Sequence, residues 1–290
     1  MKNKYLMPRV IAEIGCNHKG DISIAKNLVS IGAQSGVDVI KFQKRNNKVL
    51  LTEEQYNSPH PNPMNSYGKT YGSHRDFLEF NIDQHAELKE FIESLGLLYS
   101  TSVWDIISAK EVVDLTPKLI KVPSACNNHF EMLKILRDEY RGDIHISLGM
   151  TTKNEEDEII SFFEKKDQGN RLVIYSCVSG YPVSFQDVCM LEIDRIKKKF
   201  LHRVKSIGFS GHHLGIAVDI AAYTLGAEWI ERHFTLDRTW KGTDHPASLE
   251  TTGLRKLVRD LNATYKTLSY KESDILAVEK LQRDKLKFRR

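Results

Sequence analysis

The 290-residue sequence is short of cysteine pairs, of long apolar runs and of a surplus of either charge, and each shortage narrows the function. Its four cysteines, Cys16, Cys126, Cys177 and Cys189, lie far apart with no C-x-x-C pair. That argues against a disulfide framework, and in a cytosolic chain the thiols stay reduced. No apolar stretch approaches the roughly 18–20 residues needed to cross a bilayer. The basic start, MKNKYLMPRVIAEIG, lacks the apolar core and small-residue cleavage site of a signal peptide, so a cytoplasmic protein with no membrane partner is expected. Forty-two basic residues stand against 38 acidic ones, a net +4 gathered mainly in the last few residues. This is too small an excess to imply nucleic acid, yet it leaves room for an anionic metabolite. Low-complexity tracts and Gly/Ser linkers are missing as well. What is present is ordinary for a globular enzyme: 41% hydrophobic and 28% charged residues, in a chain long enough to bury a large core.

Short β-branched runs alternate with amphipathic stretches. Eight runs read as strands: Arg9–Ile14, Val37–Gln43, Leu97–Thr101, Lys118–Val122, Asp143–Leu148, Arg171–Cys177, Lys205–Ser210 and Ala227–His233. Each carries consecutive apolar residues, as a parallel strand covered on both faces requires. Helical periodicity separates them. Asp21 is placed to cap a helix carrying Ile24, Leu28 and Ile31, and Asp83 to cap one closed by Gly96. Further helices are expected near 104–115, 129–140, 154–165, 185–199, 214–225 and 249–270. Eight βα units in succession predict a (β/α)8 TIM barrel over residues 1–271; a doubly wound open sheet is the alternative. Residues 272–290 read as a charged helical tail with Ile275, Leu276, Val278 and Leu281 as its apolar face. One polar segment of about 38 residues, Lys44 to Asn81, falls outside the repeat and is either functional or disordered.

In a TIM barrel the active site lies at the C-terminal ends of the strands. Those ends carry Glu13, Lys41, Gln43, Ser100, Thr101, Lys121, Ser124, Ser147, Ser176, Ser179, Tyr181, Ser210, His212, Glu231 and His233, with Asp244 in the last loop. Lys41 and Lys121 interrupt apolar strands, and a buried ammonium needs an anion or a structural carboxylate. A phosphate or carboxylate held between them fits, as does a pair of structural ion pairs, for example with Glu13. A Schiff-base lysine is a third possibility. His212 and His233 end adjacent strands, close enough to share one divalent metal or to be unrelated structural residues. His60, His74 and His85 carry no such signal and are assigned to surface or loop.

The motifs resemble a known family. IAEIGCNHKGDISIAKNLVSIGAQSGVDVIKFQ, STSVWD, KVPSACNN, ISLGM, YSCVSGYP, GFSGHH and WIERHFTLDRTWKGTDHPASLE are similar, in that order, to the sialic acid synthase (N-acetylneuraminate synthase) family. The resemblance implies a barrel enzyme that condenses phosphoenolpyruvate with a hexosamine-derived aldose, assisted by Mn2+ or Mg2+. It implies metal ligation by His212 and His233, and phosphoenolpyruvate contacts from Lys41, Thr101, Lys121, Ser124, Ser147 and Ser210. Ser179, where the family often has asparagine, is a less regular phosphate contact. Gln43, Tyr181 and Asp244 match sugar-contacting positions, and Glu13 matches an acid near the metal-bound water. Glu13, Lys41, Lys121 and Asp244 are thus the expected catalytic residues.

Two departures concern the sugar half. The fourth-strand run from Lys121 to Asn128 is one residue shorter than the family's and lacks its glutamate. Many members also carry a C-terminal antifreeze-like domain that caps the partner's active site in a homodimer and supplies an arginine. Here the expectation is a self-contained lid, residues 44–81, with Tyr67, Tyr71 and His74 over the aldose and Arg75 in place of that arginine; a separate antifreeze-like chain is the alternative. The function expected is a synthase of N-acetylneuraminate or a related nonulosonic acid. A shorter or phosphorylated aldose, or a non-catalytic binding barrel, are the alternatives.

Overall fold

The computed structural model describes residues 5–288. Eight parallel strands close into a barrel in chain order: β1 (Arg9–Gly15), β2 (Val39–Lys44), β3 (Leu98–Val103), β4 (Leu119–Val122), β5 (Asp143–Ser147), β6 (Leu172–Cys177), β7 (Ser206–Gly211) and β8 (Trp229–His233). β1 pairs with both β2 and β8, which completes the ring. The open-sheet alternative is thereby excluded. Each strand is followed by helix, and the helices pack outside. Among the described residues no helix is long and apolar enough to cross a membrane.

Two apolar layers follow from strand alternation. Ala12, Ile40, Phe42, Ile120 and Ile174 point outward into the main core beneath the helices. Ile11, Val39, Leu119, Val173 and Tyr175 point inward and form a separate cluster backed by Leu98 and Trp229. That inner cluster is the barrel floor. One step further along the same strands, the inward positions turn polar: Glu13, Lys41, Lys121 and Cys177.

Local chemistry explains most boundaries. Asp21 caps the helix Ile22–Ser35 by accepting from the Ser23 and Ile24 amides, and Gly36 closes it in the left-handed conformation. The cap expected at Asp83 is instead Asn81, in a capping box with Gln84, so Ile82–Ser94 starts earlier. The helix expected from 185 begins at Leu191, after a single turn at Phe185–Asp187.

The segment 44–81 is not a bare loop. It holds short helices at Asn47–Leu50, Glu53–Asn57 and Tyr71–Leu78. The Tyr67 hydroxyl donates to the Lys241 carbonyl, and the Gly242 amide donates to Asn65 Oδ1 at 3.4 Å. The β2 segment therefore leans on the loop after β8. In the tail, the helix Ala277–Leu286 leaves Val278 and Leu281 exposed.

Candidate active site

The inward polar positions gather around a cavity of ≈ 240 Å³ at the C-terminal mouth. Its base is a four-member charge cluster. Lys41 Nζ lies 2.7 Å from Glu13 Oε2 and 3.7 Å from Glu231 Oε1; Lys121 Nζ lies 2.9 Å from Glu231 Oε2. All four side chains are buried. Register places them: Glu13 is opposite both Lys41 and His233, and Glu231 is opposite Ser210. Beneath them the Tyr175 ring faces Lys121 Nζ at 3.9 Å from its centroid, a cation–π contact. Gly208 makes room for that ring, since a Cβ there would lie 2.4 Å from Tyr175 Cε1.

The cluster divides its charge unevenly. Burial raises Glu13 to about 7, against the pull of Lys41 and with help from Glu231. Burial would also raise Glu231, but Lys121 and Lys41 overcome it and hold this carboxyl well below its usual range. Lys41 is raised because Glu13 and Glu231 outweigh its burial. Lys121 is lowered, since burial and the neighbouring Lys41 outweigh its single carboxylate. With no ligand present the two ammonium groups thus face two acids, one firmly ionised and one poised near neutrality.

Hydroxyl groups rise from this base. Ser102 accepts from Lys41 Nζ at 2.8 Å, and Ser210 donates to Glu231 Oε1 at 3.1 Å. Ser124, Ser147 and Ser179 also line the cavity. Ser124 Oγ accepts from the Gly149 amide at 3.1 Å, and a Cβ on Gly149 would strike both Ser124 and Ser179. Thr101, expected to contact substrate, does not line the cavity. It pairs with Phe42 in register, so strand alternation turns it toward the helix layer, and Ser102 takes the inward place.

The rim carries the histidines. The rings of His212 and His233 are 5.5 Å apart, and the Tyr181 ring lies against His212 at 4.3 Å, tilted by 52°. The Val178 carbonyl orients His212 through Nδ1 at 3.0 Å. His233 Nδ1 is buried without a hydrogen-bond partner, 3.8 Å from Asp244 Oδ2. Burial lowers His233 to about 4. Among the described residues no group of three or more His, Cys, Asp or Glu is arranged to hold a metal. His213 is turned away, buried against Arg232 and Asp219.

Gln43 bridges cavity and rim by donating to Glu13 Oε1 at 2.9 Å. Asp244 sits beside it, outside the cavity wall. Arg75 also lies off the wall, with its Nε and Nη2 donating to the Tyr71 hydroxyl at 3.0 and 2.6 Å. His60, His74 and His85, expected at the surface or in loops, are buried, and only His60 is in a loop; His85 pairs with the Tyr99 hydroxyl at 2.8 Å, and the His60 and His74 rings are 4.4 Å apart inside the 44–81 segment.

The mouth of the barrel thus sets two lysines and two glutamates, paired with one another, beneath a set of serine hydroxyls. The model of the NeuB family matches residues 28–273. The chain belongs to the NeuB family. Members of this family are synthases that form carbon–carbon bonds with phosphoenolpyruvate. This NeuB-family chain is 36% identical over 283 residues to the N-acetylneuraminate-9-phosphate synthase of Homo sapiens, covering 96% of this chain and 76% of that one. It is 31% identical over 256 residues to the N,N'-diacetyllegionaminic acid synthase of Legionella pneumophila, covering 87% and 70%. The solved N-acetylneuraminic acid synthetase of Leptospira borgpetersenii, in complex with citrate, superposes with a TM-score of 0.80 at 26% identity, over 98% of this chain and 93% of that one.

Proposed function

We propose that this NeuB-family protein joins carbon three of phosphoenolpyruvate to the aldehyde carbon of an aldose, releasing phosphate and giving a 3-deoxy-2-keto sugar acid of the nonulosonic class. One observation carries the reading: Lys41 and Lys121 are buried side by side on an apolar floor, beneath serine hydroxyls and a histidine pair.

Phosphoenolpyruvate offers a phosphate and a carboxylate. Lys41 and Lys121 receive these anions, and the hydroxyls of Ser102, Ser124, Ser147, Ser179 and Ser210 donate to their oxygens. A site held this rigidly orients the enol face toward the rim. As carbon three forms its new bond, carbon two becomes electron-poor and takes up water. Glu13, poised at about 7, is placed to accept that water's proton. The tetrahedral centre then expels phosphate by breaking its bond from carbon two to oxygen, leaving the ketone. Gln43 and Tyr181 face the aldose, with Asp244 beside Gln43 at the rim.

His212 and His233 fit a divalent ion such as Mn2+ or Mg2+, because His233 keeps a buried ring nitrogen without a partner and His212 is already oriented. Such an ion, when bound, polarises the aldehyde oxygen.

A phosphorylated acceptor is the second reading, favoured because relatives at 36% identity from Homo sapiens and Mus musculus are named 9-phosphate synthases. The test is phosphate release and product mass with phosphoenolpyruvate, Mn2+ and a panel of aldoses: N-acetylmannosamine, its 6-phosphate, and a shorter phosphorylated pentose. The aldose that yields a product heavier than itself by the elements of pyruvic acid identifies the acceptor; no release with any of them overturns the proposal.

A further inference from the structure

Arg45 has no role so far, yet it is the most enclosed cation of the rim. Its residue is 2% exposed, just beyond β2. Its Nη2 donates to Gln43 Oε1 and to Cys16 Sγ, the latter at 3.1 Å. Its guanidinium lies over Trp104 at 4.7 Å from the ring centroid. Glu79, at the end of the helix Tyr71–Leu78, holds it twice: Oε2 accepts from the Arg45 amide at 3.0 Å, and Oε1 lies 3.4 Å from Nε. Gln43 and Trp104 both line the cavity, whereas Arg45 stands behind them.

We infer that Arg45 is a positioning residue that fixes which way round the Gln43 carboxamide sits, and thereby sets selection of the acceptor aldose. A carboxamide has two nearly isosteric orientations, one exchanging its oxygen for its nitrogen. A guanidinium can only donate, and an ionised Glu13 can only accept. Gln43 lies between the two, so its oxygen must face Arg45 and its nitrogen must face Glu13, as observed at 2.9 Å. The flipped amide would set donor against donor and acceptor against acceptor. What remains for the cavity is one N–H and one lone pair in a fixed order, a pattern that discriminates among sugar hydroxyl arrangements. Glu79 and Trp104 keep Arg45 from moving with the amide. The chain of contacts also links the 44–81 segment to the catalytic acid.

The inference rests on the proposed synthase activity only for its kinetic test. Removing Arg45 alone would strand Glu79, so the informative variant is the pair Arg45→Met with Glu79→Gln, beside Arg45→Lys. The paired variant is expected to raise the KM for the aldose by about tenfold or more, with the KM for phosphoenolpyruvate changed less than about threefold. In a Gln43→Leu background the same pair should cost less than about twofold more. Arg45→Lys, still a donor only, should recover most of the loss. Equal losses for both substrates, or in both backgrounds, would show a merely structural ion pair and overturn the inference. A second measurement needs no turnover. In protein labelled with 15N-glutamine, the side-chain NH2 signals missing from Gln43→Leu belong to Gln43. They should be slow to exchange with solvent in the wild type and lose that protection in the paired variant; unchanged signals also overturn the inference. A wild-type protein that turns over no aldose refutes the proposed function, while the amide signals still decide the role of Arg45.

Discussion

The base of the barrel and its rim hold equally polar residues by different means. At the base, Lys41, Lys121, Glu13 and Glu231 sit on strands whose register leaves each only one direction to point. Their charges are matched within 2.7–3.7 Å and shielded from water. At the rim, Tyr67, Arg75 and Asp244 stand on turns and a short helix: Tyr67 is held by the loop after β8, Arg75 by Tyr71 of its own helix, and Asp244 lies 3.8 Å from His233. The difference teaches where tolerance lies. A strand residue cannot move without its neighbours, so the base is the rigid part of the site. A loop residue can be replaced or re-aimed, so the rim is the adaptable part.

The contrast is broken most sharply where rim and base meet. His233→Ala should lose bound metal and reduce kcat by about a hundredfold or more, and excess chelator should do the same to the wild type. Metal analysis beside the rate assay checks this, and full activity in chelator would refute it. Next comes Lys121→Ala. A charged hydrogen bond of about 1.5–3 kcal/mol is lost, so phosphoenolpyruvate use should fall at least about tenfold. Borohydride should trap no adduct on either lysine; a covalent adduct would mean a Schiff base in place of a charge pair.

Smaller effects separate the halves further. Glu13 acts as a base only when ionised, and its carboxyl is raised to about 7. The rate should therefore climb as pH rises through about 7, and Glu13→Gln should remove that limb along with most activity. A wild-type profile flat from pH 6 to 8 would assign the proton elsewhere. Arg75→Ala should raise the aldose KM only several-fold, because this half-buried cation already spends its donors on Tyr71, and the phosphoenolpyruvate KM should not move. Unchanged aldose kinetics would reject Arg75 as a sugar contact. Smallest of all, deleting everything after Lys271 should shift the melting temperature by no more than a few degrees, since the helix Ala277–Leu286 buries none of its side chains. A large drop would mean that the tail supports the barrel.

The base was largely legible in the sequence because strand alternation is a local rule. Apolar runs marked all eight strands, and polar residues within them marked the mouth. The same rule exposes the one misplacement there: counting from Lys41 and Phe42 across the β2–β3 register turns Thr101 outward and Ser102 inward. Glu231 was visible at a strand end but had no assigned work, since its partners Lys41 and Lys121 are 190 and 110 residues away and only ring closure brings them together. The rim was less legible. Arg45 lies in a polar stretch without periodicity, and its ties to Cys16, Glu79 and Trp104 span three separate loops. His60 and His74 looked like surface or loop residues; His60 is in a loop and His74 in the helix Tyr71–Leu78, and the 44–81 segment folds enough to bury both.

The contact between Tyr67 and Lys241, with its neighbour between Asn65 and Gly242, joins the loops that follow β2 and β8. Those strands flank β1, so the contact arches over the seam where the two ends of the barrel meet. The mouth is consequently lopsided, roofed on the seam side. On the opposite side Met150, Tyr181 and Phe185 stand 69%, 49% and 66% exposed. The open side of the cavity is therefore bordered by an apolar edge on the loops that follow β5 and β6, whereas the seam side is tied down by the contact between loops.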